Sequence, residues 1–155
     1  MSQFLPANIF STDSLISSID ISYSKLNDLL SNGQWQDADL ETKELMLRVV
    51  EQVDYLPSEL IDTFPCEDLK IIDQLWTHYS SGNFGFSVQV EILEKVNGDW
   101  DSFNDLVGWR GQSKNDRIYN LNAPTGHLPS SAIRLVGNGA KAKIKLLKRA
   151  EMCTL

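Results

Sequence analysis

Residues 84–96 read FGFSVQVEILEKV, and the reading of this stretch decides the fold. Phe84, Phe86, Val88, Val90 and Ile92 alternate with Gly85, Ser87, Gln89 and Glu91, the period of a half-buried strand. Val88, Ile92 and Val96 also fall four apart, and Phe86, Val90 and Leu93 fall four and three apart, the period of a helix. Pattern alone leans to the strand and leaves the helix open. A strand here would set a sheet into a chain that otherwise reads as helical.

Working upstream, Pro65 suits the first position of a helix, and Glu67 and Asp68 complement its positive end. Leu69, Ile72, Trp76 and Tyr79 form its apolar face, and Ser80-Ser81-Gly82-Asn83 ends it. Ser58–Thr63 is at most a short helix. Before it, Ala38, Thr42, Leu45, Val49 and Val53 share one face of a helix from about Gln34 to Val53. Glu41, Glu44, Arg48 and Glu51 take the other faces, and Tyr55-Leu56-Pro57 breaks the helix. Leu26, Leu29 and Leu30 belong to a shorter helix stopped by Asn32-Gly33. Downstream, Asn97-Gly98 is a turn, and Asp99 can cap a helix carrying Trp100, Phe103 and Val107. Residues 108–129 are rich in Gly, Asn, Asp and Pro; such long irregular stretches are often functional. Lys141, Lys143, Lys145, Lys148 and Arg149 then form a basic run.

With 155 residues and 42% hydrophobic content, one domain with its own core is expected. The division is an N-terminal extension at 1–20 that packs loosely, a helical core at 21–136, and a basic C-terminal segment at 137–155. A formal charge of −7 disfavours nucleic acid and anionic membrane over most of the surface. No apolar run approaches a membrane span. The first twenty residues lack Lys and Arg, unlike a secretory signal or transit peptide, so the protein is expected to act where it is made. Cys66 and Cys153 have no CxxC partner and are expected as two free thiols in a reducing compartment.

Catalytic patterns are missing. There is no P-loop, GxGxxG or GxSxG. Cys66 has no histidine nearby in sequence, and its acidic neighbours oppose thiolate formation. Glu67 and Asp68 are explained by helix capping and a solvated face. His78 and His127 belong to no cluster with metal-ligand spacing.

Three segments carry a family resemblance: YSKLNDLLSNGQWQDADLET at 23–42, FPCEDLKIIDQLWTHYSSGNFGFSVQ at 64–89, and VGWR at 107–110 followed by APTGHLP at 123–129. In order and rough spacing they resemble the Genomes-Uncoupled tetrapyrrole-binding family, over about residues 22–129. The resemblance implies an all-α fold, a single helical domain with a cupped ligand-binding face and long irregular loops in its second half. It turns the 84–96 segment into a helix. It implies a non-catalytic regulator that requires no cofactor, binds protoporphyrin IX and Mg-protoporphyrin IX, and stimulates magnesium chelatase through that enzyme's large porphyrin-binding subunit. It further implies a monomer in the plastid stroma or the cyanobacterial cytoplasm. Two departures stand out. Many members carry an N-terminal helical bundle, whereas about 20 residues precede the core here. Some members have basic residues after the LP; here Ser130 and Ser131 follow, and the nearest base is Arg134.

A porphyrin is a flat apolar disc with two carboxylates on one edge, so its site needs apolar faces and cations at the rim. The candidates are Val49, Val53, Tyr55 and Leu56 after the long helix, Trp109 and Arg110 in the VGWR turn, and His127, Leu128 and Arg134. Each has a plainer reading beside it. Val49 and Val53 extend the stripe of Leu45 and could be core. Arg110 could pair with Asp101 or Asp105. His127 could hydrogen-bond rather than ligate a central metal. An alternative function is a porphyrin- or bilin-sensing module acting on another partner. The basic run could dock on an acidic subunit or make a weak peripheral membrane contact.

Overall fold

A computed structural model describes residues 10–110, 116–134 and 139–155, without the side chains of Arg134 and residues 139–143. Among the described residues the chain is all-α. The elements are α1 (Ser24–Ser31), α2 (Trp35–Val49), α3 (Ser58–Ile61), α4 (Cys66–Tyr79), α5 (Phe86–Lys95), α6 (Trp100–Val107), α7 (Ser131–Arg134) and α8 (Gly139–Met152). A single 3-10 turn, Asp13–Leu15, precedes them.

The decisive segment is helix α5, as the family resemblance implies and against the alternation. Two observations explain why. First, the carboxylate of Asp73, on α4, sits at the start of α5 and accepts the Ser87 N–H at 2.8 Å and the Ser87 hydroxyl at 3.0 Å. These bonds satisfy donors that a helix N-terminus leaves unpaired. Gly85 allows the approach: with φ at 131°, a Cβ there would lie 2.8 Å from Asp73 Oδ1 and 2.7 Å from Thr77 Cγ2. Second, Gln89, an outward position in the strand reading, is fully buried. Its Nε2 donates to the carbonyls of Gly126 and Pro129 at 3.0 and 3.1 Å. Phe86, Gln89, Ile92 and Leu93 are the buried set of α5, at helical spacing.

The core is aromatic at its centre. Trp35, Trp76 and Phe84 meet with ring centroids 5.6 to 6.2 Å apart. The indole N–H of Trp76 donates to Thr42 Oγ1 at 2.9 Å, and that hydroxyl donates to the Ala38 carbonyl at 2.8 Å. Ala38, Thr42, Leu45 and Val49 form the buried stripe of α2; Val53 falls beyond the helix end and is exposed.

Three expectations change. Asp68 does not lie on a solvated face: it is buried and accepts the Tyr23 hydroxyl at 2.7 Å, because the chain before α1 folds over the start of α4. The Tyr23 phenol is pushed far above its usual range by burial and by that carboxylate. Residues 10–22 are not loose. Leu15 is buried, the Ser18 N–H donates to Glu67, and Phe10 sits on the ring of His78. The remainder of the extension, residues 1–9, lies outside the described residues. Glu41, on another face of α2, is buried beside Lys25. Finally, Cys66 and Cys153 are not free thiols but a disulfide. α8 runs back across α3 and α5 and brings residue 153 to the first residue of α4, with Cα atoms 5.3 Å apart, inside bridging range. Leu146, Leu147 and Ala150 of α8 are buried in the core.

Candidate functional site

The irregular stretches 108–110 and 116–130 are organised by buried polar groups. α6 ends at Gly108 in the left-handed conformation, and the chain turns so that Trp109 stacks edge-on against Phe103, 5.7 Å away. The Trp109 indole N–H donates to the carbonyl of His127 at 2.9 Å. His127 is fully buried. Its Nδ1–H donates to the Val107 carbonyl at 2.6 Å, and its Nε2 accepts the Ile118 N–H at 2.9 Å. This pairing requires the neutral Nδ1–H tautomer. Burial lowers the imidazole pKa and the nearby Arg117 charge adds to this; the Val107 hydrogen bond and Asp39 act the other way. Both ring nitrogens are engaged within the protein, so neither offers a lone pair to a metal in this arrangement. The Arg117 guanidinium lies 5.1 Å from the centre of the Trp109 ring, at cation–π range.

Further along, three remote side chains fix the backbone. Asn83 accepts the Thr125 hydroxyl at 2.8 Å and donates to the Ala123 carbonyl at 3.2 Å. Gln89 holds Gly126 and Pro129, as described above. Asp39, on α2, accepts four hydrogen bonds at the start of α7: the Ser130 N–H at 2.7 Å, the Ser131 N–H at 3.0 Å, and their hydroxyls at 2.8 and 3.1 Å. Asp39 is buried; burial raises its pKa, and the four donors offset only part of that rise. The segment packs tightly enough that a Cβ on Gly126 would lie 2.6 Å from Ile92 Cδ1.

The nine candidates therefore separate into two groups. Val49, Leu56, Trp109, His127 and Leu128 are buried, with Trp109 only 7% exposed. In this conformation they support neighbouring backbone rather than present a surface. Val53 at 85%, Tyr55 at 57% and Arg110 face solvent. Arg110 pairs with Asp105 at 2.9 Å, one of the two partners offered by the sequence. That pair is exposed on both sides and contributes little, so the guanidinium is available for another anion. Arg134 closes α7, and its side chain lies outside the described residues. The structure brings Trp109 and His127 into direct contact. Val53 and Tyr55 lie on the loop between α2 and α3. Leu106 and Leu121 add exposed apolar side chains around the irregular segment. A cavity of about 340 Å³ between α5 and α8, lined in part by Val90, Leu93 and Leu147, is bordered by none of the nine.

Sequence reasoning missed Asp39, Asn83, Gln89 and Arg117. For two of them a signal existed. Asp39 precedes Thr42 and Met46 by three and seven positions, and Gln89 lies three from both Phe86 and Ile92, so both fall on buried helix faces.

By class this is an all-α, single-domain protein in which an irregular stretch between α6 and α7 is clamped by side chains from the helices. The chain belongs to the GUN4-like family, whose model matches residues 16–145. The structure of GUN4 from Chlamydomonas reinhardtii superposes with a TM-score of 0.74 at 27% identity, covering 86% of this chain and 91% of that one. The ligand-free structure of Arabidopsis thaliana GUN4 gives 0.65 at 30% identity, covering 83% and 89%. Among curated relatives, the tetrapyrrole-binding protein, chloroplastic, of Arabidopsis thaliana is 31% identical over 131 residues, 72% of this chain and 49% of that protein. The Ycf53-like protein of Synechocystis sp. is 30% identical over 133 residues, 80% of this chain and 56% of that protein. The chain thus spans about half the length of the curated relatives it matches.

Proposed function

We propose that this chain binds protoporphyrin IX and Mg-protoporphyrin IX and, without catalysing a reaction itself, stimulates magnesium chelatase by exchanging pigment with its large porphyrin-binding subunit. The observation that carries this reading is membership of a family in which the Arabidopsis relative is named a tetrapyrrole-binding protein. The geometry supports it in one respect. Val53 and Tyr55 offer two apolar side chains to solvent on the loop after α2, while Arg110 offers a solvent-exposed cation paired with Asp105. A macrocycle laid on the loop would bury apolar area worth about 25 cal/mol per Å². An arginine would meet a propionate through paired hydrogen bonds. Trp109, His127, Leu128, Val49 and Leu56 would then act as the frame behind the ligand, and Arg134 as a second rim cation. In this reading the protein works as a monomer in a plastid stroma or a cyanobacterial cytoplasm.

The test is an absorbance titration with deuteroporphyrin and its magnesium form, followed by addition to a reconstituted chelatase. Saturable binding at micromolar or tighter affinity, with faster magnesium insertion, is expected. Binding without any effect on the chelatase would favour the sensing-module reading. No binding to either porphyrin would remove both pigments from consideration.

A further inference from the structure

The disulfide belongs to a larger arrangement. Lys145 and Arg149 are four apart on one face of α8, and Cys153, four further on, directly follows the helix with its N–H bonded to the Arg149 carbonyl at 3.0 Å. Each is tied to the stretch that runs from α3 into α4. The Lys145 ammonium meets Asp62 Oδ2 and Ser58 Oγ, both at 3.1 Å. Arg149 donates to the Phe64 carbonyl from Nε at 3.0 Å and from Nη2 at 2.9 Å. Cys153 bonds covalently to Cys66. The order along α8 matches the order along 58–66, so the helix is strapped to that stretch at three successive points. The Lys145–Asp62 pair is partly solvated and weak, which leaves the covalent bond as the strongest of the three.

The two sulfurs differ in access. Cys153 is buried, whereas Cys66 is half-buried and opens α4, where unpaired N–H groups favour a thiolate. The adjacent Glu67 and Asp68 carboxylates oppose this, so access rather than thiolate stability singles out Cys66 as the sulfur that is attacked.

We propose that Cys66–Cys153 is a reversible thiol–disulfide site, opened by a protein dithiol, that latches α8 onto the 58–66 stretch. The reductant's thiolate attacks Cys66 Sγ; the Sγ–Sγ bond breaks, and Cys153 leaves as a thiolate and takes up a proton. The reductant's second thiol then attacks its own sulfur in the mixed disulfide and releases Cys66. The protein gains two electrons and two protons, and the dithiol becomes a disulfide. Once open, α8 keeps its apolar contact with α5 and its Lys145 and Arg149 bonds, and loses the tether nearest its C-terminal end. The 58–66 stretch directly follows the loop carrying Val53 and Tyr55, so the latch also sets how firmly the far end of that loop is held.

The experiment uses the intact chain, first with dithiothreitol and then with a CxxC dithiol protein as reductant, without denaturant. Thiols are counted by iodoacetamide labelling and mass spectrometry, and amide hydrogen exchange is followed in 58–64 and 144–155. Two labels per chain after reduction and none before are expected. Exchange in both stretches should rise at least tenfold and return on reoxidation, and Cys153→Ala should exchange at the reduced rate under both conditions. Should that variant fail to fold, the wild-type cycle alone decides. A bond that yields only in denaturant, labels present before reduction, or exchange unchanged after labelling would each overturn the proposal. No porphyrin is needed, so either result leaves the proposed function to its own test.

Discussion

Two irregular parts of this molecule look alike in sequence and differ in construction. The 121–131 segment is tied by Asn83, Gln89 and Asp39, whose side chains reach it from the α4–α5 turn, α5 and α2. The 50–57 loop has a buried anchor in Leu56, and among the described residues no side-chain hydrogen bond holds residues 51–55. One is a frame with its polar groups turned inward; the other presents Val53 and Tyr55 to solvent. Irregular backbone is therefore no guide to function until its hydrogen bonds have been followed. Substitutions in the frame should cost stability, whereas substitutions in the loop should change binding and leave the fold intact.

The largest effect is expected at Asp39. Asp39→Ala leaves four donors at the start of α7 without a partner and should lower the unfolding free energy by about 3–5 kcal/mol, measured by urea denaturation. Asp39→Asn keeps one acceptor oxygen for the two backbone N–H groups and should recover much of that loss. Gly126→Ala comes next, at about 2–3 kcal/mol, since its Cβ would strike Ile92 and its φ of 79° disfavours a side chain. A loss below about 0.5 kcal/mol at both positions would erase the contrast with the loop.

The pH dependence sharpens the same comparison. The folded state lowers the His127 pKa, so an unfolded chain takes up the proton first as pH falls. The contribution of His127 is complete above its ordinary value near 6.5 and declines as pH falls from there through the lower folded value. Protonation removes the lone pair that accepts the Ile118 N–H, so residues 116–119 should gain amide exchange in the same window. A His127→Gln variant should show neither change; equal acid sensitivity in the variant would move the effect elsewhere. The smallest stability effect belongs to the loop. Tyr55→Ala and Val53→Asp should stay within about 0.5 kcal/mol of the parent.

How much of this was legible depends on where each helix finds its cap. α6 is capped by Asp99, which accepts the Ser102 N–H at 3.1 Å, three residues away. A local cap is visible in sequence, and this one was read there. α5 is started by Asp73, fourteen residues upstream, and α7 by Asp39, more than ninety upstream. No window of sequence joins those pairs, so the pattern at 84–96 leaned towards a strand until the family resemblance supplied the missing context. The candidate site shows the same limit. Trp109 and His127 attracted attention as an aromatic and an imidazole in a glycine-rich stretch, yet their polar side-chain atoms are all bonded to backbone groups. The disulfide escaped because spacing says nothing about a helix that returns across the molecule to the start of another. Helix existence and the stripe from Ala38 to Val49 were readable because both rest on local period alone.

The most direct measurement of the central claim is a deuteroporphyrin titration of the parent and Val53→Asp, with the melting temperature of each recorded on the same samples. The account predicts an affinity weakened at least tenfold and melting temperatures within about 2 °C of each other. An unchanged affinity in a folded variant would contradict it and take the ligand away from the 50–57 loop.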